Sequence, residues 1–142
     1  MSHRVLGVDY GMKRIGIAIS DPFRIIAQQV TTLTVPNLKQ AAIEVESLRK
    51  SYSAMEIIIG MPLTLKGVKG EAAQAVEKFI LELRKQTSVQ IISVDERFTS
   101  VIARRTLVEM GKTPSKNKEM VDRMSAALIL QTYLDSSGGQ VC

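Results

Sequence analysis

Apolar and polar positions along the chain follow two periods in turn. Val5, Leu6 and Val8 make a short apolar run that ends at Asp9, and the spacing predicts a strand over Arg4–Asp9. Gly11, Met12 and Lys13 read as a turn, and a second strand follows over Arg14–Ser20. So short a connection allows only an antiparallel hairpin. Asp21–Phe23, "DPF", is another turn, and Ile25–Leu33 reads as a third strand. The period then becomes helical. Asn37 and Gln40 have capping-box spacing, and Leu38, Ala41, Ala42, Val45 and Leu48 recur on one helix face. "MEIIIG", Met55–Gly60, is continuously apolar, as for a parallel strand covered on both faces. Beyond the glycine-containing loop "GMPLTLKGVKGE", a second helix carries Ala72, Val76, Phe79, Ile80 and Leu83. Val89–Val94 is a fifth strand. Thr99 or Ser100 caps a third helix that ends near Gly111, and a fourth runs from about Lys118 to Leu134 before a frayed tail. The order β-β-β-α-β-α-β-α-α predicts an α/β fold: one domain over residues 1–142, with a five-stranded mixed sheet flanked by helices.

Composition narrows the class. At 142 residues and 45% hydrophobic content, the chain can bury one sizeable core. Its apolar runs, such as "MEIIIGMPL", are too short to cross a membrane, and the N-terminus lacks a signal-peptide pattern. Cys142 is the only cysteine, so no disulfide forms within the chain, which fits a reducing cytoplasm. The net charge of +5 and pI near 9.5 suit a polyanionic partner. Aromatic residues are 4% and tryptophan is absent, so contact with phosphates fits better than stacking on bases.

The carboxylates carry the candidate chemistry. Asp9, before a glycine-containing turn, has an ordinary reading as a turn residue that bonds its own backbone. Asp95 and Glu96 end the fifth strand, and successive strand residues face opposite sides, so only one of them points toward Asp9. In this topology the first strand is central, and the C-terminal ends of the α-connected strands gather beside it, where open α/β sheets bind ligands. Asp122 shares a helix face with the small residues Ser125 and Ala126 and with Ile129. Taken alone it reads as an exposed acid paired with Lys118 or Arg123. Together, one acid from strand one, one from strand five and one from the last helix would repel each other unless a cation joined them. All-oxygen ligands select a hard ion, Mg²⁺ or Mn²⁺, and two such ions about 3.5–4 Å apart are a known device for phosphodiester hydrolysis. Zinc fits less well, because the only soft ligands are His3 and Cys142 at the termini.

Between Arg97 and Arg123 there are seven basic residues and three acids. Some of these cations belong to ordinary solvated helix faces. Arg97, Arg104, Lys116 and Lys118 are the candidates for holding a nucleic-acid backbone, with Lys116 and Lys118 just before Asp122. "GMPLTLKG" could offer backbone N–H groups to a phosphate, but it has neither P-loop nor dinucleotide spacing, and Gly60 and Pro62 read equally as a turn out of the strand.

Four blocks, "VLGVDYGMKRIGIAISD", "IIIGMPLTLKGVKG", "VDERFTS" and "KNKEMVDRMSAALILQTYL", resemble those of the YqgF family in order and spacing across nearly the whole chain. These bacterial proteins are Holliday junction resolvase-like and are regarded as pre-16S rRNA nucleases. The resemblance implies an RNase H-like fold and metal-dependent hydrolysis of nucleic-acid phosphodiesters in the cytoplasm, in processing the 5′ end of pre-16S rRNA. It assigns Asp9 as the strand-one ligand, Glu96 (or Asp95) as the second acid and Asp122 as the helix acid. The chain departs from many RNase H-like nucleases at the end of the fourth strand, where "GMP" carries no acid. Three other readings compete. Cleavage of branched DNA would want a two-fold dimer, which nothing in the sequence displays. A phosphotransferase would need a second lobe, and a non-catalytic rRNA-binding assembly factor would not need Asp9.

Overall fold

The computed structural model describes residues 3–62, 70–96 and 98–136. Five strands, β1 (Val5–Tyr10), β2 (Arg14–Ser20), β3 (Ala27–Thr34), β4 (Glu56–Met61) and β5 (Gln90–Asp95), form one sheet in the order β3-β2-β1-β4-β5. β1 and β2 make the expected antiparallel hairpin, and β3 adds antiparallel to β2. β4 and β5 run parallel to β1. β1 is therefore central, and its C-terminal end lies beside those of β4 and β5. Helices α1 (Leu38–Ser51) and α2 (Glu71–Arg84) cover one face; α4 (Lys118–Asp135) crosses the other, with α3 (Thr99–Glu109) packed against it.

Alternation along β1 decides which face each residue serves. Leu6 and Val8 join Ile15, Ile17, Ile57, Ile59, Val76, Phe79 and Leu83 in the core beneath α1 and α2, all fully or almost fully buried. Each such side chain contributes roughly 1.5–3 kcal/mol from apolar burial. Val5, Ala18 and Ile58 face the opposite side, against Ala126, Ile129, Leu130 and Leu134 of α4. The Tyr10 ring stacks on Phe79 of α2 with centroids 4.4 Å apart, which ties down the end of β1 just past Asp9.

Local expectations hold with small corrections. The Asn37 side chain accepts a 2.8 Å hydrogen bond from the Gln40 N–H, so α1 starts where the capping pattern placed it. Asn37→Ala is expected to cost about 1 kcal/mol, read as a lowered urea midpoint with an unchanged slope. The third strand starts at Ala27, later than expected. Asp21 accepts hydrogen bonds from the N–H groups of Phe23, Ile25 and Ile26, holding that segment as an exposed turn. On α2 the buried position is Ala73, while Ala72 is exposed. Thr99 and Ser100 lie inside α3 instead of capping it, and Phe98 holds the cap position. Gly60 belongs to β4 and is not the turn out of it, and a short 3₁₀ turn over Pro114–Lys116 precedes α4. Most of "GMPLTLKG", together with the end of the chain after Ser136, lies outside the described residues.

Candidate active site

Asp9 is held at the centre of the sheet's C-terminal edge. It pairs in register with Gly16 of β2, and on its other side Gly60 is one step past the paired residues Val8 and Ile59. These two glycines make a niche on the α4 face. A Cβ on Gly16 would stand 1.9 Å from the Asp122 carbonyl oxygen, so α4 rests directly on the β2 backbone at that point. A Cβ on Gly60 would stand 2.6 Å from Ile129 Cδ1 and 3.0 Å from Glu96 Cγ. The space that a side chain on strand four would fill is thus shared by Ile129 of α4 and by Glu96, which arrives from just beyond β5. The Glu96 N–H bonds the Met61 carbonyl at 3.0 Å and fixes that approach. This is how a chain with no acid at the end of its fourth strand still brings a second carboxylate toward β1.

The electrostatics reflect this convergence. Asp9 is pushed from 3.8 up to about 7, first by burial, then by the charges of Glu96 and Asp122. Burial also raises Glu96; the Asp95 carboxylate adds to the rise, and a hydrogen bond with the Thr99 side chain opposes it. Of the two acids left open by the sequence, Glu96 is the half-buried one that Asp9 feels. Asp95 is exposed and borders a separate cavity with Phe98, Ile102 and Leu128.

Asp122 does not pair with Lys118 or Arg123, as its ordinary reading would have it. Its Oδ2 accepts a 2.6 Å hydrogen bond from Nε of Arg14, at the start of β2. Sequence reasoning passed over Arg14, which is 108 residues away along the chain. The available signal was Gly16 between Ile15 and Ile17 inside a strand, a position that often marks close approach of another backbone. Among the described residues, no three Asp, Glu, His or Cys side chains are drawn together as a finished ion cage. The donor set nevertheless fits a hard cation: it consists of carboxylates alone, and the central one is buried with no ion pair among the described residues.

Basic residues line one side of these acids. Lys13, Arg14, Arg104, Lys118 and Asp122 border a cavity of about 580 Å³, together with Pro114, Ser115 and Val121. Lys116 borders an adjoining space of about 490 Å³ with Arg14, Lys118 and Arg123. Arg104, Lys116 and Lys118 thus lie on the Asp122 side of the molecule, whereas Arg97 is outside the described residues. No helix among the described residues is long and apolar enough to cross a membrane.

Comparison with known proteins places this geometry. A chain from Ruminiclostridium cellulolyticum, described as a candidate pre-16S rRNA nuclease, is 43% identical over 137 residues, covering 96% of each chain. One from a Sulfurihydrogenibium species with the same description is 44% identical, covering 93% of this chain and 90% of that one. Among solved structures, Thermus thermophilus RuvC in complex with a Holliday junction substrate superposes with a TM-score of 0.60 at 12% identity, covering 95% of this chain and 96% of that one. The fowlpox virus Holliday junction resolvase gives 0.57 at 13% identity, covering 93% and 97%. These likenesses show the RNase H-like fold expected from the resemblance. The family model described as RuvX, Holliday junction resolvase, matches residues 3–136, and the chain belongs to that family.

Proposed function

We propose that this protein is a nuclease that hydrolyses nucleic-acid phosphodiesters with the help of Mg²⁺ or Mn²⁺ held by Asp9, Glu96 and Asp122. The observation that carries the reading is the glycine-flanked Asp9, raised by burial and by two further acids that come from distant parts of the chain. A core that only needed stability would gain by replacing such a carboxylate with a neutral group. A divalent ion at this site would neutralise the acids, acidify a water and stabilise charge on the leaving oxygen. The protein's own groups orient the site. Arg14 fixes the Asp122 carboxylate, the Thr99 hydroxyl holds Glu96, and Tyr10 on Phe79 anchors the strand bearing Asp9. Arg104, Lys116 and Lys118 draw the polyanionic backbone toward the acids, with Arg97 assigned to the same work from the sequence.

The relatives named for pre-16S rRNA favour that precursor as substrate, and the sequence resemblance points to its 5′ end and to a role in ribosome biogenesis in the cytoplasm. Branched DNA is the second reading, favoured by the family's description. It would call for a homodimer, because symmetric resolution needs two sites. The test is an end-labelled RNA spanning the 5′ leader of pre-16S rRNA, run beside a four-way DNA junction. Each is incubated with Mn²⁺ or with EDTA, using wild type and Asp9→Asn. The expected result is Mn²⁺-dependent cleavage of the RNA, lost with EDTA and reduced at least about a thousandfold in the variant. Cleavage of the junction alone would move the assignment to branched DNA. Tight binding without cleavage by either protein would favour an assembly factor.

A further inference from the structure

We infer that the cavity bounded by Lys13, Arg14, Arg104 and Lys118 binds a phosphate of the substrate strand other than the one cleaved, and so sets the strand's register against the acids. The inference rests on the nuclease reading for its substrate class. Four cations reach this cavity from four parts of the fold: the β1–β2 turn, the first residue of β2, α3 and the first residue of α4. Like charges brought together repel unless an anion joins them. Among the described residues the one acid in the wall is Asp122, and one of its oxygens is taken by Arg14. Lys13, Arg104 and Lys118 have no ion-pair partner among the described residues. That leaves an unbalanced positive site facing solvent, unlike cations paired along a solvated helix.

The shape and lining identify the ligand's chemistry. About 580 Å³ lies within the range of small-ligand sites and accommodates a phosphate with its sugar. Among the described residues no aromatic side chain lines it, so these residues offer no stacking surface for a base. The site therefore reads backbone, not sequence. Arg14 links it to the acids. Its Nε is bonded to Asp122, the residue borders both cavities, and a guanidinium engaged through Nε keeps further N–H donors in a planar fork suited to phosphate oxygens. Because Asp122 is part of the cavity wall, a phosphate held there lies beside the acid cluster and not on it.

An internal phosphodiester and a terminal 5′-phosphate share this chemistry, and the test separates them. Binding of a short 3′-labelled single-stranded RNA, with either a 5′-phosphate or a 5′-hydroxyl, is measured by fluorescence anisotropy in EDTA over a salt series. Lys13→Ala and Arg104→Ala are compared with wild type and with Lys85→Ala, an exposed lysine at the C-cap of α2 that does not border the cavity. Each cavity variant is expected to weaken binding about five- to tenfold at low salt and to lower the log–log salt slope by roughly 0.7. Equal losses with both RNAs identify an internal phosphate, and a loss confined to the 5′-phosphorylated RNA identifies the terminal one. Affinities and slopes no different from those of Lys85→Ala for both RNAs overturn the inference. Cleavage by wild type is scored separately. Cavity variants that weaken binding while wild type never cleaves leave the phosphate site standing and remove the nuclease reading. Cleavage with unaffected binding does the reverse.

Discussion

In the presence of a chelator, replacing Asp9 by asparagine is expected to make the protein more stable at neutral and alkaline pH, although the same substitution removes most of the Mn²⁺-dependent cleavage. Asp9 titrates near 3.8 in an unfolded chain and at about 7 in the fold. Between those values the unfolded chain has released a proton that the native state retains. The unfolded state binds fewer protons, so native stability falls as pH rises through this window, and the full penalty is reached above about pH 7. Asparagine has nearly the same shape and never ionises, so it avoids the penalty. Its advantage should be near zero at about pH 4, grow through pH 5 and 6, and level off above pH 7 at roughly 2–4 kcal/mol. For a chain of this size that is a rise of several degrees in Tm. Thermal melts of both proteins from pH 4 to 8.5 in EDTA measure it directly. Adding Mn²⁺ should then stabilise wild type more than the variant, since a ligand bound to the native state adds to its stability. A difference in Tm that stays flat across the pH range would mean that Asp9 is not a strained carboxylate, and would remove the physical basis for making it the centre of the site.

Gly16→Ala is expected to be among the most damaging single-methyl additions in the chain. The new Cβ would stand 1.9 Å from the Asp122 carbonyl oxygen and 2.4 Å from its carbon. Both are backbone atoms of a helix, so no side-chain rotation relieves the contact. α4 must lift away from β2 by an ångström or more. The cost is about 3 kcal/mol or higher, a Tm loss on the order of 10 °C. The same displacement carries Asp122 off Arg14 and away from Asp9, and a shift of that size at a catalytic group costs about a hundredfold in rate. Gly111→Ala is the control. Gly111 has φ +78° and nothing within 4 Å of an added Cβ, so alanine there costs about 1 kcal/mol of backbone strain and leaves the site alone. Full activity and unchanged stability for Gly16→Ala would show that α4 is not seated on β2 as described.

Much of this protein is legible in one dimension. Strand and helix periods, the Asn37 cap and the short β1–β2 connection are local features. They predict the element order, the hairpin and, from the hairpin followed by crossovers, a central first strand, which the sheet order β3-β2-β1-β4-β5 bears out. The acids stood out only as a set: taken alone, Asp9 reads as a turn residue and Asp122 as an exposed helix acid, and the end of strand five offers either Asp95 or Glu96. What the sequence could not supply is which side chains meet. Glu96 and Asp95 are adjacent, and either could have faced Asp9; the bond from the Glu96 N–H to Met61 and the open space over Gly60 turned Glu96 inward. Arg14 figures in the sequence only as the first residue of the second strand, and the descent of α4 onto Gly16 is what brings it to Asp122. The basic cavity is likewise a product of folding, since Lys13, Arg14, Arg104 and Lys118 share no local pattern. Periodicity reports what each segment does with its own neighbours. Close approach across the sheet depends on where side chains are missing, and the glycines that permit it declare themselves only when a second element is laid over them.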